Sequence, residues 1–202
     1  GQPSSEEDAK YSRLNPQLLN RLAIKGDAHA QHDLAVRYYL GQGVDKNYGL
    51  AIQWMTKSAK SEFAAAQHGL AVMYEQGHAL EKDLLKAAQW YQIAANQGYD
   101  KAQYNLAKMY IEGRGFKKDP KLGIEWLRKA AENGNAKALN DLGVIYATGD
   151  VVKLDENEAF AWYQKAAEKG FAKAQNNLGI MYAQGRGVKR DDTEAVRWYR
   201  AA

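Results

Sequence analysis

The chain has 202 residues, of which 46% are apolar, and it contains no cysteine. This apolar fraction excludes wholesale disorder, and at about 150 residues per domain the length predicts one or two globular domains. Without cysteine there is no disulfide framework, no thiolate nucleophile and no cysteine-ligated metal. No run of about 18 apolar residues is present to span a membrane. The net charge of +4 is too small to favour nucleic acid as a partner.

The chain begins with the polar residues 1–12, which are predicted to form a disordered lead. The sequence then repeats with a period of 36 residues. Residues 13–26 form a half-repeat, predicted to be a capping helix that starts at Asn15-Pro16. Five units follow, over 27–62, 63–98, 99–134, 135–170 and 171–202, and the last is shorter than the others. Four columns of identical residues carry the period: Trp54, Trp90, Trp126, Trp162 and Trp198; Leu34, Leu70, Leu106, Leu142 and Leu178; Tyr38, Tyr74, Tyr110, Tyr146 and Tyr182; Gly41, Gly77, Gly113, Gly149 and Gly185.

Each unit is predicted to contain two helices. In the first unit, Ala30, Leu34 and Tyr38 lie on one apolar helix face, which predicts a helix over residues 28–40. Gly41 follows where helices commonly end in a left-handed residue. The second helix is predicted to begin at a side chain that accepts hydrogen bonds from the first-turn amides. The residues of this capping column are Asn47, Asp83, Asp119, Asp155 and Asp191.

Stacking of the units follows from their aromatic residues. A single unit would leave its tyrosine and tryptophan side chains in water, so neighbouring units must pack against one another, with the tryptophan column in the core. The turn at Glu62 is predicted to be either strained or differently shaped, because the equivalent position is glycine in the other units. The predicted fold class is therefore all-α, a right-handed α/α superhelical solenoid of about five 36-residue helix-turn-helix repeats.

The unit KAQNNLGIMYAQGRGV over residues 173–188, continued by Asp191 and Trp198, has a familiar pattern. It resembles the Sel1-like repeat, a 36-residue relative of the tetratricopeptide repeat, and the likeness covers residues 27–202. The resemblance implies an α/α solenoid that binds other proteins, without a cofactor or a shared catalytic residue. It also implies a bacterial protein that is periplasmic or secreted, and leaves a cytoplasmic location open. The lack of cysteine departs from the disulfide-stapled branch of the family.

A binding groove is predicted from the first helix of each unit. By analogy with tetratricopeptide units these helices line the concave side, so their non-core positions face the groove. Lysines and side-chain amides in this place can hold an extended peptide together with an acidic side chain or a C-terminal carboxylate. Surface lysines are often merely solvated, whereas asparagine is a poor helix former and favours a binding role. The predicted protein- or peptide-binding residues are Lys101, Tyr104, Lys108, Lys137, Asn140, Lys173 and Asn176.

The groove positions of the first two units contain histidine instead of lysine. His29, His32 and His68, with Asp33 nearby, are candidate zinc ligands, because imidazole and carboxylate groups bind this metal. Their spacing matches no recognised ligand motif. The alternative interpretation is a polar groove wall without metal, and this is the one we adopt.

Two glycine-rich loops, Gly113-Arg114-Gly115 and Gly185-Arg186-Gly187, superficially resemble phosphate-binding loops. Neither is preceded by a predicted strand nor followed by Gly-Lys-Ser/Thr, so the glycines are interpreted as helix ends. The basic residues near these loops suggest a second, anion-binding edge, and hence a weak nucleic-acid or anion binder as one alternative function. These residues are Arg114, Lys117, Lys118, Arg186, Lys189 and Arg190.

The function favoured by the sequence is a non-catalytic scaffold or adaptor that binds a protein or an extended peptide in its groove. The competing alternative is a hydrolase of a cell-wall or small-molecule substrate. No Ser-His-Asp arrangement, paired acidic motif or cofactor signature supports that alternative. It rests only on the general fact that a fold does not fix a function.

Overall fold

The structure is a computed structural model that describes residues 3–202. Within this range the chain forms twelve α-helices and no strand, which confirms the all-α repeat fold. None of these helices is long and apolar enough to cross a membrane. The helices are α1 (Ser5–Ser12), α2 (Pro16–Ile24), α3 (Ala28–Leu40), α4 (Tyr48–Lys60), α5 (Ala64–Gln76), α6 (Leu84–Asn96), α7 (Asp100–Glu112), α8 (Pro120–Glu132), α9 (Ala136–Thr148), α10 (Glu156–Glu168), α11 (Ala172–Gln184) and α12 (Asp192–Ala201).

The lead is the first departure from the sequence prediction. Disorder over residues 1–12 is wrong for residues 5–12, which form α1, while residues 1 and 2 lie outside the described residues. Ser4 and Glu7 cap this helix reciprocally, each side chain accepting a hydrogen bond from the backbone amide of the other. Tyr11 attaches it to the array: its hydroxyl donates to Asp27 Oδ2 at 2.6 Å, and its ring stacks on His29 at 3.9 Å. Polarity alone did not reveal these tertiary contacts.

The repeats are built from alternating A helices (α3, α5, α7, α9 and α11) and B helices (α2, α4, α6, α8, α10 and α12). In the first repeat, α3 covers the predicted range and ends at Gly41, whose φ of 72° is left-handed. The chain then turns so that the Asn47 amide donates to the Tyr38 carbonyl at 2.9 Å, and the Asn47 side chain caps α4. Every repeat closes in this way, which confirms the predicted caps at Asn47, Asp83, Asp119, Asp155 and Asp191.

The core is divided among successive interfaces. Each A helix packs against the B helix before it and the B helix after it, and the leucine column is at most 2% exposed. The tryptophan column is only half-buried, contrary to the prediction that it fills the core. Lysine ammonium groups lie over several of these indole rings instead, at 4.8 Å for Lys57 on Trp54 and 4.2 Å for Lys129 on Trp126. Trp54 and Trp126 therefore close the edge of an interface while the outer face of each indole contacts a solvated cation.

Buried glutamines fix four of the five A helices to the preceding B helix; in α9 the equivalent residue is Leu139. Gln67 donates to the Ala59 carbonyl, and its Oε1 accepts from Gln97 Nε2 at 2.7 Å. The Oε1 of Gln31 is buried without a hydrogen-bond partner among the described residues. The residue equivalent to Gln97 is Ser61 there, and its side chain is shorter. The carbonyl bond itself recurs at Gln31, Gln67, Gln103 and Gln175.

The turn after α4 is strained, and its shape is that of the other turns, which decides between the two predicted alternatives. Glu62 has a φ of 64°, whereas glycine takes the equivalent left-handed place in the other turns of this kind. The hydrogen bonds of the turn are nevertheless the same: Phe63 donates to Ser58 O as Tyr99 donates to Ala94 O, each at 3.3 Å. The chain therefore imposes one turn geometry on two different residue types.

Candidate protein-binding face

The predicted binding residues lie on a surface that we call the A-helix face, formed by the groove positions of α3, α5, α7, α9 and α11. Neighbouring A helices touch directly along it. Asn105 Nδ2 donates to His68 Nε2 at 3.0 Å, the Tyr104 hydroxyl donates to Asp141 Oδ2 at 2.9 Å, and Asn177 Nδ2 donates to Asn140 Oδ1 at 3.2 Å. These three pairs recur at the same positions of successive repeats. They form a ladder of polar contacts that holds the face together.

An open cavity of about 420 Å³, which we call the lysine cavity, lies on this face. Its lining includes Lys101 and Tyr104 of α7, Lys137 of α9 and His68 of α5. The Asp100 carboxylate also lines it, and its Oδ2 accepts a hydrogen bond from Asn135 Nδ2 at 2.9 Å. The structure thus brings three of the seven predicted residues around one space.

The lysines of this region are exposed and available to a ligand. Lys101, Lys137 and Lys173 are exposed. Over residues 3–202 no carboxylate oxygen lies within the 4.0 Å salt-bridge distance of their ammonium groups. Three consecutive repeats therefore present unpaired positive charge at the same position.

The remaining predicted residues are placed differently from one another. Asn176 is exposed on α11, beyond the lysine cavity. Lys108 is half-buried, with its ammonium group 3.9 Å from Glu112 Oε1 and 5.7 Å from the centre of the Tyr104 ring. Asn140 is only 6% exposed, and its Oδ1 is occupied by the amide of Asn177. The Asn140 side chain therefore packs against the neighbouring A helix and is not exposed to a ligand, whereas the sequence predicted an exposed position.

Two buried titratable groups lie beneath the lysines. Burial raises the pKa of Asp141 above its usual value, although the Tyr104 hydrogen bond and the nearby lysines act in the opposite direction. Burial, with a smaller contribution from the charge of Lys101, lowers the pKa of His68 to about 4. The imidazole is therefore neutral at pH 7, consistent with Nε2 accepting the Asn105 hydrogen bond.

A second cavity of about 260 Å³, which we call the apolar cavity, lies between the first two A helices. Val36, Leu40, Met55 and Val72 are among its lining side chains, and His68 lines this cavity as well as the lysine cavity. It exists because Gly69 stands where Asn105, Asp141 and Asn177 stand in later repeats. Gly69 makes no cross-helix pair, and a Cβ there would lie 2.9 Å from the sulfur of Met55.

The histidines of the first two repeats are not gathered into a metal site. The Nε2 atom of His29 lies 3.1 Å from Asp8 Oδ1, and Nδ1 of His32 lies 3.0 Å from Asp33 Oδ1. His68 is instead engaged with Asn105. No group of three or more metal-ligating side chains with suitable geometry occurs in the part of the chain that the structure describes. Among the described residues, His29, His32 and His68 are therefore not brought together as a set of metal ligands.

Comparison with known proteins decides the family. The Sel1 repeat matches residues 28–62, 64–99, 100–135, 136–171 and 172–202. The chain belongs to the Sel1 repeat family. Sel1 repeat proteins are generally non-catalytic scaffolds for protein interactions. None of the curated proteins matches this chain significantly.

Solved structures show how far the similarity extends. The chain is 37% identical to c5321, a protective antigen of uropathogenic Escherichia coli with an SLR fold, at a TM-score of 0.87 over 94% of this chain and 40% of that one. It is 35% identical to a Sel1 repeat protein from Oxalobacter formigenes, at a TM-score of 0.84 over 97% and 78% of the two chains. Immunity protein Pa5087 from Pseudomonas aeruginosa, 21% identical at a TM-score of 0.65 over 98% and 82% of the two chains, shares the fold alone. The present chain spans about two fifths of the length of the E. coli antigen.

The arginines of the Sel1 repeat loops have a structural role that sequence reasoning missed. Arg114 binds Glu75 at 3.2 Å and Glu112 at 2.7 Å, and so connects its loop to the preceding repeat. Arg186 likewise binds Glu156 at 3.0 Å. Both guanidinium groups are thus paired with carboxylates, which weakens the argument for an anion-binding edge at these two arginines. The partners in the preceding repeats, Glu156 and Glu75, stand 30 and 39 residues away, so local sequence gave no sign of them.

Sequence reasoning also missed the residues that pair across the A-helix face and those that line the apolar cavity. Asn105, Asp141 and Asn177 share one column, directly after the predicted groove column. That periodicity was visible in the sequence. Their pairing was not visible, because it depends on the register between neighbouring A helices.

Proposed function

We propose that this Sel1 repeat protein is a non-catalytic scaffold that binds an extended segment of a partner protein on its A-helix face. The observation that carries the proposal is the lysine cavity, where unpaired Lys101 and Lys137 flank Tyr104. In tetratricopeptide units the corresponding face is the concave binding surface. On the family resemblance alone we also propose a periplasmic or secreted location.

The chemistry of the cavity favours an acidic ligand. An ammonium group attracts a side-chain or C-terminal carboxylate and donates a charge-assisted hydrogen bond to it. A single exposed pair contributes only about 0–1 kcal/mol. The repetition of lysine at Lys101, Lys137 and Lys173 matters because several charges on one face steer a partner and fix its register. Affinity must then come mainly from further contacts along the segment.

Neither alternative function gains a specific observation. Over residues 3–202 no serine, threonine or tyrosine hydroxyl donates to a histidine, so the histidines have no nucleophile of the Ser-His type beside them. Nucleic-acid binding loses its strongest argument with the paired loop arginines.

Affinity capture with a charge-reversal variant tests the proposal. The intact chain and the Lys137→Glu/Lys173→Glu variant are immobilised, and the proteins retained from an extract of the source cells are compared by quantitative mass spectrometry. A control variant, Lys153→Glu/Lys189→Glu, changes the same charge at two exposed loop lysines outside the A-helix face. We expect partners that the wild type and the control retain and the groove variant loses. Equal retention by all three proteins would contradict the proposed face.

A further inference from the structure

The two cavities of the A-helix face differ in the charged groups that border them. The lysine cavity is bordered by the ammonium groups of Lys101 and Lys137 and by the Asp100 carboxylate, which accepts a hydrogen bond from Asn135. Among residues 3–202, the apolar cavity has no charged carboxylate or ammonium group in its lining. His68 lines both, and it is neutral at pH 7 because burial lowers its pKa. One bound segment can therefore pass from one cavity to the other without crossing a charged barrier at His68.

The chain itself supplies an example of a segment bound at this face. The acidic first turn of α1 places the Asp8 carboxylate 3.1 Å from Nε2 of His29. His29 occupies the same position of its repeat as Lys101, Lys137 and Lys173. The Tyr11 ring of α1 stacks on the same imidazole. In the first repeat, the residue at this position therefore contacts a carboxylate and an aromatic ring from α1. The lysines at the same position in the third to fifth repeats have no carboxylate partner among residues 3–202.

The separation of the two cavities sets the spacing of the ligand groups. The apolar cavity lies between α3 and α5, and Lys101 and Lys137 lie on α7 and α9. At about 8–10 Å between neighbouring helix axes, two helix spacings separate the middle of the apolar cavity from the space between Lys101 and Lys137 by about 16–20 Å. An extended chain covers this distance in about six residues.

We propose that the partner segment carries an apolar side chain for the apolar cavity and a carboxylate for the lysine cavity, about six residues apart in extended conformation. This rests on the proposed function and names the chemistry of its ligand. The apolar side chain supplies affinity because its burial removes hydrocarbon surface from water. The carboxylate supplies orientation, because exposed ion pairs contribute little binding energy.

A random dodecapeptide display library tests the inference. The library is selected against the intact chain and against the variants Leu40→Ser and Lys101→Glu/Lys137→Glu. Leu40 is suitable because it lines the apolar cavity while being 54% exposed, so its loss is tolerated by the fold. Leu154→Ser is the matched control, since Leu154 is 50% exposed and lies outside both cavities. The best peptides are then measured by fluorescence anisotropy.

We expect enriched peptides with an apolar residue and Asp or Glu about five to seven residues apart. Replacing that apolar residue by serine weakens binding about ten-fold or more, and Leu40→Ser weakens it about three-fold or more, while Leu154→Ser has no effect. The inference would be overturned if the enriched peptides were acidic, lacked the spaced apolar residue and bound the wild type and Leu40→Ser equally well. The proposed function would not be affected by that result. Failure to enrich any peptide also overturns it, and the capture experiment then decides the proposed function independently.

Discussion

Replacing Glu62 by glycine should stabilise the protein. Glu62 has a φ of 64°, in the left-handed region that glycine occupies at the equivalent turns, such as Gly98 with a φ of 85°. The Glu62 side chain is exposed and makes no hydrogen bond or ion pair among residues 3–202. Its backbone carbonyl, which accepts from Gln97 Nε2 at 3.1 Å, is kept in the variant. The substitution therefore removes strain without removing a contact.

The expected size follows from two opposing terms. Holding a residue with a Cβ in the left-handed conformation costs about 1–2 kcal/mol, and glycine loses about 0.5–1 kcal/mol more backbone entropy on folding. The net gain in free energy of unfolding is about 0.5–1 kcal/mol. For a chain of this length that raises Tm by about 1–4 °C.

Urea unfolding of the intact chain measures the change, followed by circular dichroism and by tryptophan fluorescence. Coincidence of the two signals establishes that the transition is cooperative, which repeat arrays do not guarantee. The matched control is Gly98→Ala, because a Cβ at Gly98 meets nothing within 4 Å and tests backbone strain alone. Gly98→Ala should lower the free energy of unfolding by about as much as Glu62→Gly raises it. A stabilising Gly98→Ala, or a Glu62→Gly variant less stable than the wild type, would refute the reasoning.

Two further predictions concern burial and pH. Tyr163 and Tyr199 are equivalent by repeat position but are 5% and 41% exposed. We expect Tyr163→Ala to lower the free energy of unfolding by about 3–5 kcal/mol and Tyr199→Ala to lower it by less than half of that. Equal losses in urea unfolding would contradict the difference in packing. The unfolded chain protonates His68 near its ordinary pKa of 6.5, whereas burial lowers the folded value to about 4. Folding stability should therefore fall as the pH drops from 6.5 to 4. His68→Gln should lose less stability than the wild type between pH 7 and pH 4.5, and an identical pH dependence would refute the assignment.

Periodic features of the fold were predictable from the sequence. Gly41 and Asn47 act locally: a left-handed glycine ends a helix and a capping side chain begins the next, whatever lies beyond. The missing glycine in the column also marked the turn at Glu62, although the sequence left strain and a different shape as alternatives there. Burial was less predictable, since Trp54 has the spacing of a core residue and is nevertheless half-buried under Lys57. Periodicity predicts the helix face on which a side chain lies, but it does not predict how much of that side chain is exposed.

The candidate binding face was predictable only in part. The lysine column at Lys101 and Lys137 follows from the repeat, and the structure places both around one cavity with Tyr104. Asn140 shares that periodicity but is buried by the neighbouring A helix. Its pairing with Asn177 depends on how two helices 36 residues apart slide past one another, and a sequence period does not specify that register.

The sequence by itself determined the number of repeats, the ends of their helices and the family, because these depend on local backbone chemistry repeated at a fixed interval. Tertiary structure decided which polar groups became paired. It ordered α1 through Tyr11 and His29, and it connected the arginine loops to carboxylates of earlier repeats. It also opened the apolar cavity at Gly69. Such contacts join residues about one repeat apart or belong to no repeat, so only the stacking of the helices brings them together.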